Sequence, residues 1–233
     1  MHATQSLADR IETVRKRIAQ AEMRYGRAPG SVQLVAVSKG VAAETIEHAF
    51  RECGQTRFGE NYLQQALLKI TSTQLQECAL EWHFIGPLQG NKTQGVAAHF
   101  SWAHSVDRLT IAQRLSAQRS SHLTPLNICL QVNISREAGK SGVDLNHLPE
   151  LAMAVATLPH LHLRGLMTLP APCHEFEQQR LPFRALRTAF DDLRAQGLTL
   201  DTLSMGMSED FDAAIAEGAT LVRVGSAIFG HRA

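Results

Sequence analysis

The stretch QLVAVSK, residues Gln33–Lys39, followed by AAETIEHAFREC, residues Ala42–Cys53, is the pattern on which the fold prediction rests. The first segment is a short apolar run rich in valine, which is typical of a buried strand, and the second has apolar residues at helical spacing. Because side chains alternate along a strand, Val35, Val37 and Lys39 are predicted to share one face. A lysine therefore ends a strand whose corresponding face is otherwise apolar.

Lys39 has two interpretations at the end of such a strand. An amine held against apolar surface loses proton affinity and becomes a nucleophile for carbonyl groups. Alternatively, the side chain reaches from the strand end into water. The stretch alone favours the second interpretation, and the choice depends on the rest of the chain.

The same strand-then-helix alternation continues through the chain. Further strands are predicted at Thr56–Asn61, Glu81–Gly86, Ser101–Val106, Leu126–Asn133, Leu161–Leu169, Thr199–Gly206 and Thr220–Gly230. Helices are predicted between them at Tyr62–Ile70, Asn91–Phe100, Asp107–Ser120, Leu148–Leu158, 175–196 and Ser208–Gly218, the last with a serine N-cap. Eight strands alternating with helices predict an α/β fold, a parallel (β/α)8 TIM barrel. An open doubly wound sheet is the alternative, but no GxGxxG motif follows the first strand.

The N-terminal segment, residues 1–30, supplies one amphipathic helix with an apolar stripe. Leu7, Ile11, Val14, Ile18 and Ala21 recur at helical spacing between charged residues. After the eighth predicted strand only HRA remains, so the usual closing helix is missing. The N-terminal helix is predicted to pack on the barrel in its place. With no linker or change of composition, residues 1–233 are predicted to form a single domain.

Composition restricts the class of function. The 233 residues are 44% hydrophobic and 19% charged with a net charge of +1, so neither nucleic acid nor a membrane is predicted as a partner. The four cysteines lie far apart, and the N-terminus lacks the apolar core of a secretory signal. A cytoplasmic protein is the resulting expectation, and nothing in the sequence requires more than a monomer.

Candidate site residues are those at the C-terminal ends of barrel strands, where the active sites of such barrels lie. The candidates are Lys39, Asn61, His83, Ser204, Arg223, Gly225 and Ser226. Structural alternatives exist for several of them. Asn61 suits a helix cap, His83 between two aromatic residues suits a core or lining position, and Arg223 suits a buried ion pair. No metal site is predicted.

Three of these features together suggest one cofactor. Pyridoxal 5′-phosphate (PLP) has an aldehyde for a lysine such as Lys39 and a phosphate for the small residues after strands seven and eight. Strand parity places Arg223 on the same interior face as Lys39, between those two groups. A cationic Arg223 at the ring nitrogen would disfavour its protonation and weaken the ring as an electron sink.

The motifs also resemble those of the PLP homeostasis proteins, single-domain relatives of the alanine racemase N-terminal barrel. The matching segments are LVAVSK, FGENYLQQ, WHFIGPLQGNK, HSVDR, QVNISREAGKSG, LRGLMTLPAP and LSMGMSEDFDAAIAEGATLVRVGSAIFG. They occur in order over nearly the whole chain. The last of them is the most specific.

The resemblance implies roles for individual residues. Lys39 would carry PLP as an internal aldimine, and Asn61 would lie near the ring. Ser204, Gly225 and Ser226 would hold the phosphate, and Arg223 would face the pyridine nitrogen. The family usually continues Ser-Lys-Thr-Lys after its first strand, whereas Gly40-Val41 follows Lys39 here. Any role of a second lysine in handing over the cofactor is therefore not expected.

Homeostasis is the leading functional prediction. The protein would hold PLP, with little or no catalysis, and supply it to PLP-dependent apoenzymes. A PLP-dependent amino-acid racemase is the second hypothesis, but related racemases take a second base, a tyrosine, from an additional β-domain that is not found here. Tyr25 and Tyr62 fall in predicted helices. A cofactor-free Schiff-base aldolase that acts on a sugar phosphate is the third.

Overall fold

Eight parallel strands close into a barrel in the computed structural model, which describes residues 5–135 and 141–230. The strands pair in chain order and β8 pairs with β1, as the (β/α)8 prediction requires. Their bounds are β1 Gln33–Val37, β2 Arg57–Glu60, β3 Glu81–Phe84, β4 Trp102–Val106, β5 Leu126–Gln131, β6 Leu161–Met167, β7 Thr202–Ser204 and β8 Leu221–Val224. Residues 136–140, REAGK of the fifth matching segment, lie outside the described residues.

Helices follow the strands around the outside of the barrel. Their bounds are α1 Leu7–Arg24, α2 Ala43–Cys53, α3 Leu63–Ile70, α4 Thr73–Gln76, α5 Thr93–His99, α6 Leu109–Gln118, α7 Leu148–Ala156, α8 Phe176–Ala195, α9 Phe211–Ala216 and α10 Ser226–Phe229. The short helices α4 and α10 were not predicted. Each contains only four residues, too few for a helical period to be recognised in the sequence.

Strand alternation divides the apolar residues into two layers, as β1 illustrates. Leu34 and Ala36 belong to the large core between strands and helices. Val35 belongs to a separate cluster inside the barrel with Trp102, Cys129, Met167 and Leu221. The interior is therefore a packed core in its N-terminal half.

Helix α1 packs against α9, α10 and α2, and thus occupies the predicted closing position. The Arg17 guanidinium lies 2.6 Å from the carboxylate of Asp212 and 4.3 Å from the ring centroid of Phe211. Buried Glu22 accepts hydrogen bonds from the backbone N–H groups of Gly30 and Val32. These contacts fix both the helix and the chain that leads from it into β1.

The C-terminal part of the barrel corrects two expectations. The predicted eighth strand, Thr220–Gly230, ends at Val224, and α10 follows it, so α1 does not close the barrel alone. Ser208 is not the N-cap of α9, because that helix is capped at Asp210. In both places small residues follow the strand, and the sequence pattern alone does not show where the strand ends and the next helix begins.

A helix that crosses a bilayer must be both long and apolar. Over residues 5–135 and 141–230, no helix combines the two properties that crossing a bilayer requires.

Gly165 in β6 is a position where the barrel has no room for a side chain. A Cβ atom built there would lie 1.8 Å from the carbonyl oxygen of Thr202 in the neighbouring strand β7. We expect Gly165→Ala to lower the free energy of unfolding by more than about 2 kcal/mol, because β6 and β7 must separate. Denaturant titration measures this change. Gly90→Ala, whose nearest contact would be an ordinary 3.5 Å to Arg114, is the control, and an equal effect of both would contradict the explanation.

Candidate functional site

Lys39 lies two residues beyond the end of β1, at the C-terminal mouth of the barrel. It is exposed, and it forms no hydrogen bond or ion pair with the residues that the structure describes. Of the two interpretations of Lys39, the exposure of its side chain favours the one in which it reaches water. The amine is open to an incoming carbonyl compound.

The backbone that carries Lys39 is held by a buried ion pair. The Glu60 carboxylate is fully buried, and its Oε1 accepts from the Ser38 hydroxyl at 2.6 Å and from Lys69 Nζ at 2.7 Å. Lys69 also donates to the carbonyl oxygen of Ser38 at 2.8 Å. The second oxygen, Glu60 Oε2, is buried without a hydrogen-bond partner among the described residues. Ser38 is thus fixed through both its side chain and its main chain.

Asn61 lies at the end of the neighbouring strand β2, and its Oδ1 is buried without a hydrogen-bond partner among the described residues. It does not cap α3, because the N-cap of that helix is Tyr62 and no side chain caps it. The backbone of Asn61 packs directly on Gly86, where a Cβ atom would lie 2.0 Å from the Asn61 carbonyl oxygen. A rigidly placed side chain therefore holds an unsatisfied acceptor at the mouth.

Arg223 extends into the barrel interior from β8. It is 3% exposed and donates from NH1 to the Ser204 hydroxyl at 2.7 Å and from NH2 to the Thr168 carbonyl at 3.0 Å. Burial lowers the pKa of Arg223 to about 10, an effect that the charge of Asp210 partly offsets. The group remains a cation at neutral pH. No ion pair between Arg223 and a carboxylate occurs in the described parts of the chain, so the structural ion-pair alternative is not supported.

Two serine hydroxyls meet beside the N-terminus of α10. The Ser226 hydroxyl donates to Ser208 Oγ at 3.0 Å, and the backbone N–H of Ala227 lies 3.4 Å from the same oxygen. Gly225 precedes this turn and is partly exposed. Ser208 was absent from the predicted site because the sequence suggested it as a helix cap. The loop after β7 instead brings Ser208 next to Ser226 and the N–H of Ala227.

Ser204 and His83 lie deeper than the other predicted site residues. Ser204 is fully buried, with its hydroxyl between Arg223 and His104 Nδ1, which is 2.7 Å away. His83 is also fully buried, and its ring stacks on Trp102 at 5.4 Å between centroids. His104, which was not among the predicted site residues, lies between them on β4. Strand parity could have placed it inside the barrel.

Acid is expected to destabilise the protein through the two buried histidines. Burial lowers the pKa of His83 and, further, that of His104 below the ordinary 6.5. The unfolded chain therefore binds more protons below that pH, and the free energy of unfolding should fall by up to about 1.4 kcal/mol per pH unit for each histidine. Denaturant titrations between pH 7 and 5 measure the slope. His104→Gln should make it shallower and the exposed His122→Gln should not, whereas equal slopes in all three proteins would contradict this origin.

A cavity of about 440 Å³ opens at the same mouth, on the side away from β1 and β8. Its lining includes Asn61, Ile85, Gln131, Asn133 and Met207. A second cavity of about 390 Å³ lies at the opposite, N-terminal end of the barrel, lined by charged residues such as Arg57 and Glu81. Only the first cavity adjoins the C-terminal strand ends that carry the site.

Comparison with known proteins gives the family. The family model described as alanine racemase, N-terminal domain, matches residues 7–233. The pyridoxal phosphate homeostasis protein of Pseudomonas aeruginosa is 53% identical over 227 residues, which cover 97% of this chain and 96% of the relative. This chain belongs to the pyridoxal phosphate homeostasis protein family. The homeostasis protein of Escherichia coli K12 is 51% identical over 227 residues, 97% of each chain.

Solved structures agree with membership of the homeostasis family. PipY of Synechococcus elongatus, determined with PLP bound, is 35% identical with a TM-score of 0.83, and the match covers 97% of this chain and all of PipY. The alanine racemase of Corynebacterium glutamicum is 19% identical with a TM-score of 0.66, covering 97% of this chain and 62% of the racemase. The second likeness shows the barrel fold alone.

Proposed function

We propose that this protein binds PLP at the mouth of the barrel, as a Schiff base on Lys39, and takes part in PLP and amino-acid homeostasis. The observation that carries the proposal is the placement of three groups on adjacent strands. An exposed amine follows β1, a buried cation lies on β8, and two hydroxyls meet in the loops after β7 and β8. Family membership and the PLP-bound PipY structure support it.

The residues present fit PLP in chemistry. Lys39 Nζ is free to condense with an aldehyde, and Ser208, Ser226 and the N–H of Ala227 form a small polar cradle for a phosphate. Asn61 Oδ1 offers an acceptor that has no partner in the described protein. PLP, when bound, would supply an electrophilic ring. We assign the phosphate to Ser208 and Ser226, and Ser204 to the support of Arg223.

Arg223 explains why binding need not lead to turnover. If Arg223 faces the ring nitrogen of bound PLP, its guanidinium would disfavour protonation of that nitrogen and so would limit the ring as an electron sink. Tyr25 and Tyr62 flank helices α1 and α3 rather than lying within them. Tyr25 stacks on Phe176, whereas Tyr62 is 57% exposed beside Asn61. Chiral analysis of alanine and other amino acids tests the racemase alternative, and turnover of about one per second or faster would overturn the homeostasis function.

Borohydride reduction of the PLP-treated protein, followed by peptide mass mapping, tests the site. We expect the reduced adduct on the peptide that contains Lys39. An adduct on another lysine would overturn the assignment. A protein that stays colourless with added PLP but forms a reducible adduct with a sugar phosphate would favour the aldolase.

We further propose that the cofactor passes to PLP-dependent apoenzymes, which the exposure of Lys39 supports. The test compares the rate at which an apoenzyme regains activity with the PLP-loaded protein and with free PLP at equal concentration. An identical or slower rate would count against delivery.

We also propose a cytoplasmic location. The free cysteines among the described residues support it, because thiols stay reduced in that compartment.

We also propose that residues 1–233 form one domain and act as a monomer. The packing of α1 on α9 and α10 supports the first point, because the N-terminal segment shares its core with the last elements of the barrel. Thermal unfolding followed by two probes should give one coincident transition. Sedimentation should give the mass of a single chain, and a larger mass would contradict the monomer.

A further inference from the structure

Side chains from four strands form a continuous hydrogen-bonded chain through the barrel interior. Arg223 NH1 is 2.7 Å from Ser204 Oγ, which is 2.7 Å from His104 Nδ1. His104 Nε2 is 2.9 Å from His83 Nδ1, and His83 Nε2 is 2.8 Å from Glu81 Oε1. We call these five residues the cross-barrel chain. None of its members except Glu81 is exposed to solvent by more than 3%.

With both buried imidazoles neutral, the donors and acceptors of the cross-barrel chain can be arranged in only one order, because the Glu81 carboxylate can only accept and so requires the proton of His83 on Nε2. At the other end Arg223 can only donate, so Ser204 accepts from it, and the Ser204 hydroxyl donates to His104 Nδ1. His104 is then protonated on Nε2 and donates to His83 Nδ1. His83 is likewise protonated on Nε2 and donates to the Glu81 carboxylate, which can only accept. The two neutral imidazoles are therefore both Nε2–H tautomers, and every bond dipole has the same direction.

The two ends of the cross-barrel chain lie at opposite ends of the barrel. Glu81, at the start of β3, is partly exposed at the N-terminal cavity, where its carboxylate is 3.3 Å from Arg57. Arg223 lies toward the proposed cofactor. Trp102 stacks on His83 and lies beneath the Arg164 guanidinium, 5.0 Å from it. The chain thus joins solvent on one side to the site on the other through a packed interior.

We propose that Glu81, His83, His104 and Ser204 act as positioning residues for Arg223, and that the carboxylate of Glu81 sets the direction of the whole chain. A carboxylate at the far end favours the state in which each group donates away from Arg223. Ser204 is then always an acceptor for the guanidinium and holds it in one orientation. The effect on the cofactor rests on the proposed function, whereas the tautomers of the histidines do not.

Other charged and titratable groups also face the cross-barrel chain. Arg57 acts on both Glu81 and His83, and the Arg164–Asp201 pair lies beside Glu81 in the N-terminal cavity. Asp210 acts on Arg223 through its charge. Cys129 is buried nearby, and burial raises the pKa of its thiol to about 12, so it stays neutral. Among the described residues, the carboxylate that accepts a hydrogen bond from a histidine of the chain is its own member Glu81.

The first test is nitrogen NMR of the histidines in the unliganded protein at pH 7.5. We expect His83 and His104 to be neutral Nε2–H tautomers in the wild type. In Glu81→Gln the amide can donate as well as accept, so the Nδ1–H tautomer should become detectable at His83. An imidazolium or an Nδ1–H tautomer at either position in the wild type would overturn the proposal, as would an unchanged tautomer in Glu81→Gln.

The second test follows the visible absorption of bound PLP from pH 6 to 9. Glu81→Gln should shift the absorption maximum or its pH profile, and Asp201→Asn, which removes a carboxylate at the same cavity, should leave both unchanged. Ser204→Ala interrupts the chain at its other end and should reproduce the shift if Glu81→Gln does not fold. Spectra identical to the wild type in both chain variants would overturn the coupling. If neither the wild type nor any variant takes up PLP, the proposed function fails, and the NMR result alone decides whether Glu81 sets the direction of the cross-barrel chain.

Discussion

Lys39→Ala is expected to abolish the covalent binding of PLP completely. The variant should lack the visible absorption of the loaded protein and should yield no reduced adduct after borohydride treatment. The reason is that Lys39 is the exposed amine at the end of β1, where the proposed ring and phosphate groups converge. The unfolding free energy should change by no more than about 0.5 kcal/mol, because an exposed side chain without contacts is removed.

Two variants control the Lys39 experiment. Lys39→Arg keeps the positive charge without an amine that condenses with aldehydes, so it should also lack the adduct. Lys16→Ala removes an exposed lysine of α1, remote from the mouth, and should behave as the wild type. Retention of the full visible absorption in Lys39→Ala would contradict the site.

Ser208→Asp is expected to have the next largest effect. It places a carboxylate beside the Ser226 hydroxyl, where the phosphate is proposed to bind, and like charges at that distance repel strongly when partly buried. We expect the dissociation constant for PLP to rise more than about 100-fold, or about 2.7 kcal/mol. Titration of PLP absorbance against protein concentration measures it.

The control for Ser208→Asp introduces the same charge elsewhere. Ser101→Asp lies at the N-terminal end of the barrel, just before β4, and should change the dissociation constant less than about threefold, since a distant charge in water is screened. Similar losses in both variants would indicate a general effect of charge and would refute the assignment of the phosphate to the Ser208 loop.

The barrel could be predicted because its repeat is periodic. Strand β1 shows the period of two, because Val35 lies inside the barrel whereas Leu34 and Ala36 pack against the helices. The ends of elements were less predictable. The segment after Val224 continues with small and apolar residues, so no periodic signal separates the last strand from α10. The N-terminal helix was placed correctly because its apolar stripe required a partner.

The sequence indicated the position of some candidate site residues in the barrel better than that of others. Lys39, Asn61, Gly225 and Ser226 follow strands and Arg223 lies within β8, where parity and position are informative. Depth within the barrel was not accessible in the same way. Whether a serine near a strand end faces the mouth or the interior depends on the register between strands, which the sequence does not give. Ser204 is buried in the interior, whereas Ser208 meets Ser226 in the loop after β7.

Helix α1 has a consequence for the order in which the protein folds. The ribosome makes this helix first, yet its partners α9 and α10 are made last, and the Arg10 side chain donates to the carbonyl of Ile228, 218 residues away. Contacts of such long sequence separation form late because the loop between them must close. The nascent chain therefore has to keep the apolar stripe of α1 from other partners until synthesis of β8 is complete. Synthesis of α9, β8 and α10, rather than emergence of the early strands, is therefore the event that permits closure of the barrel.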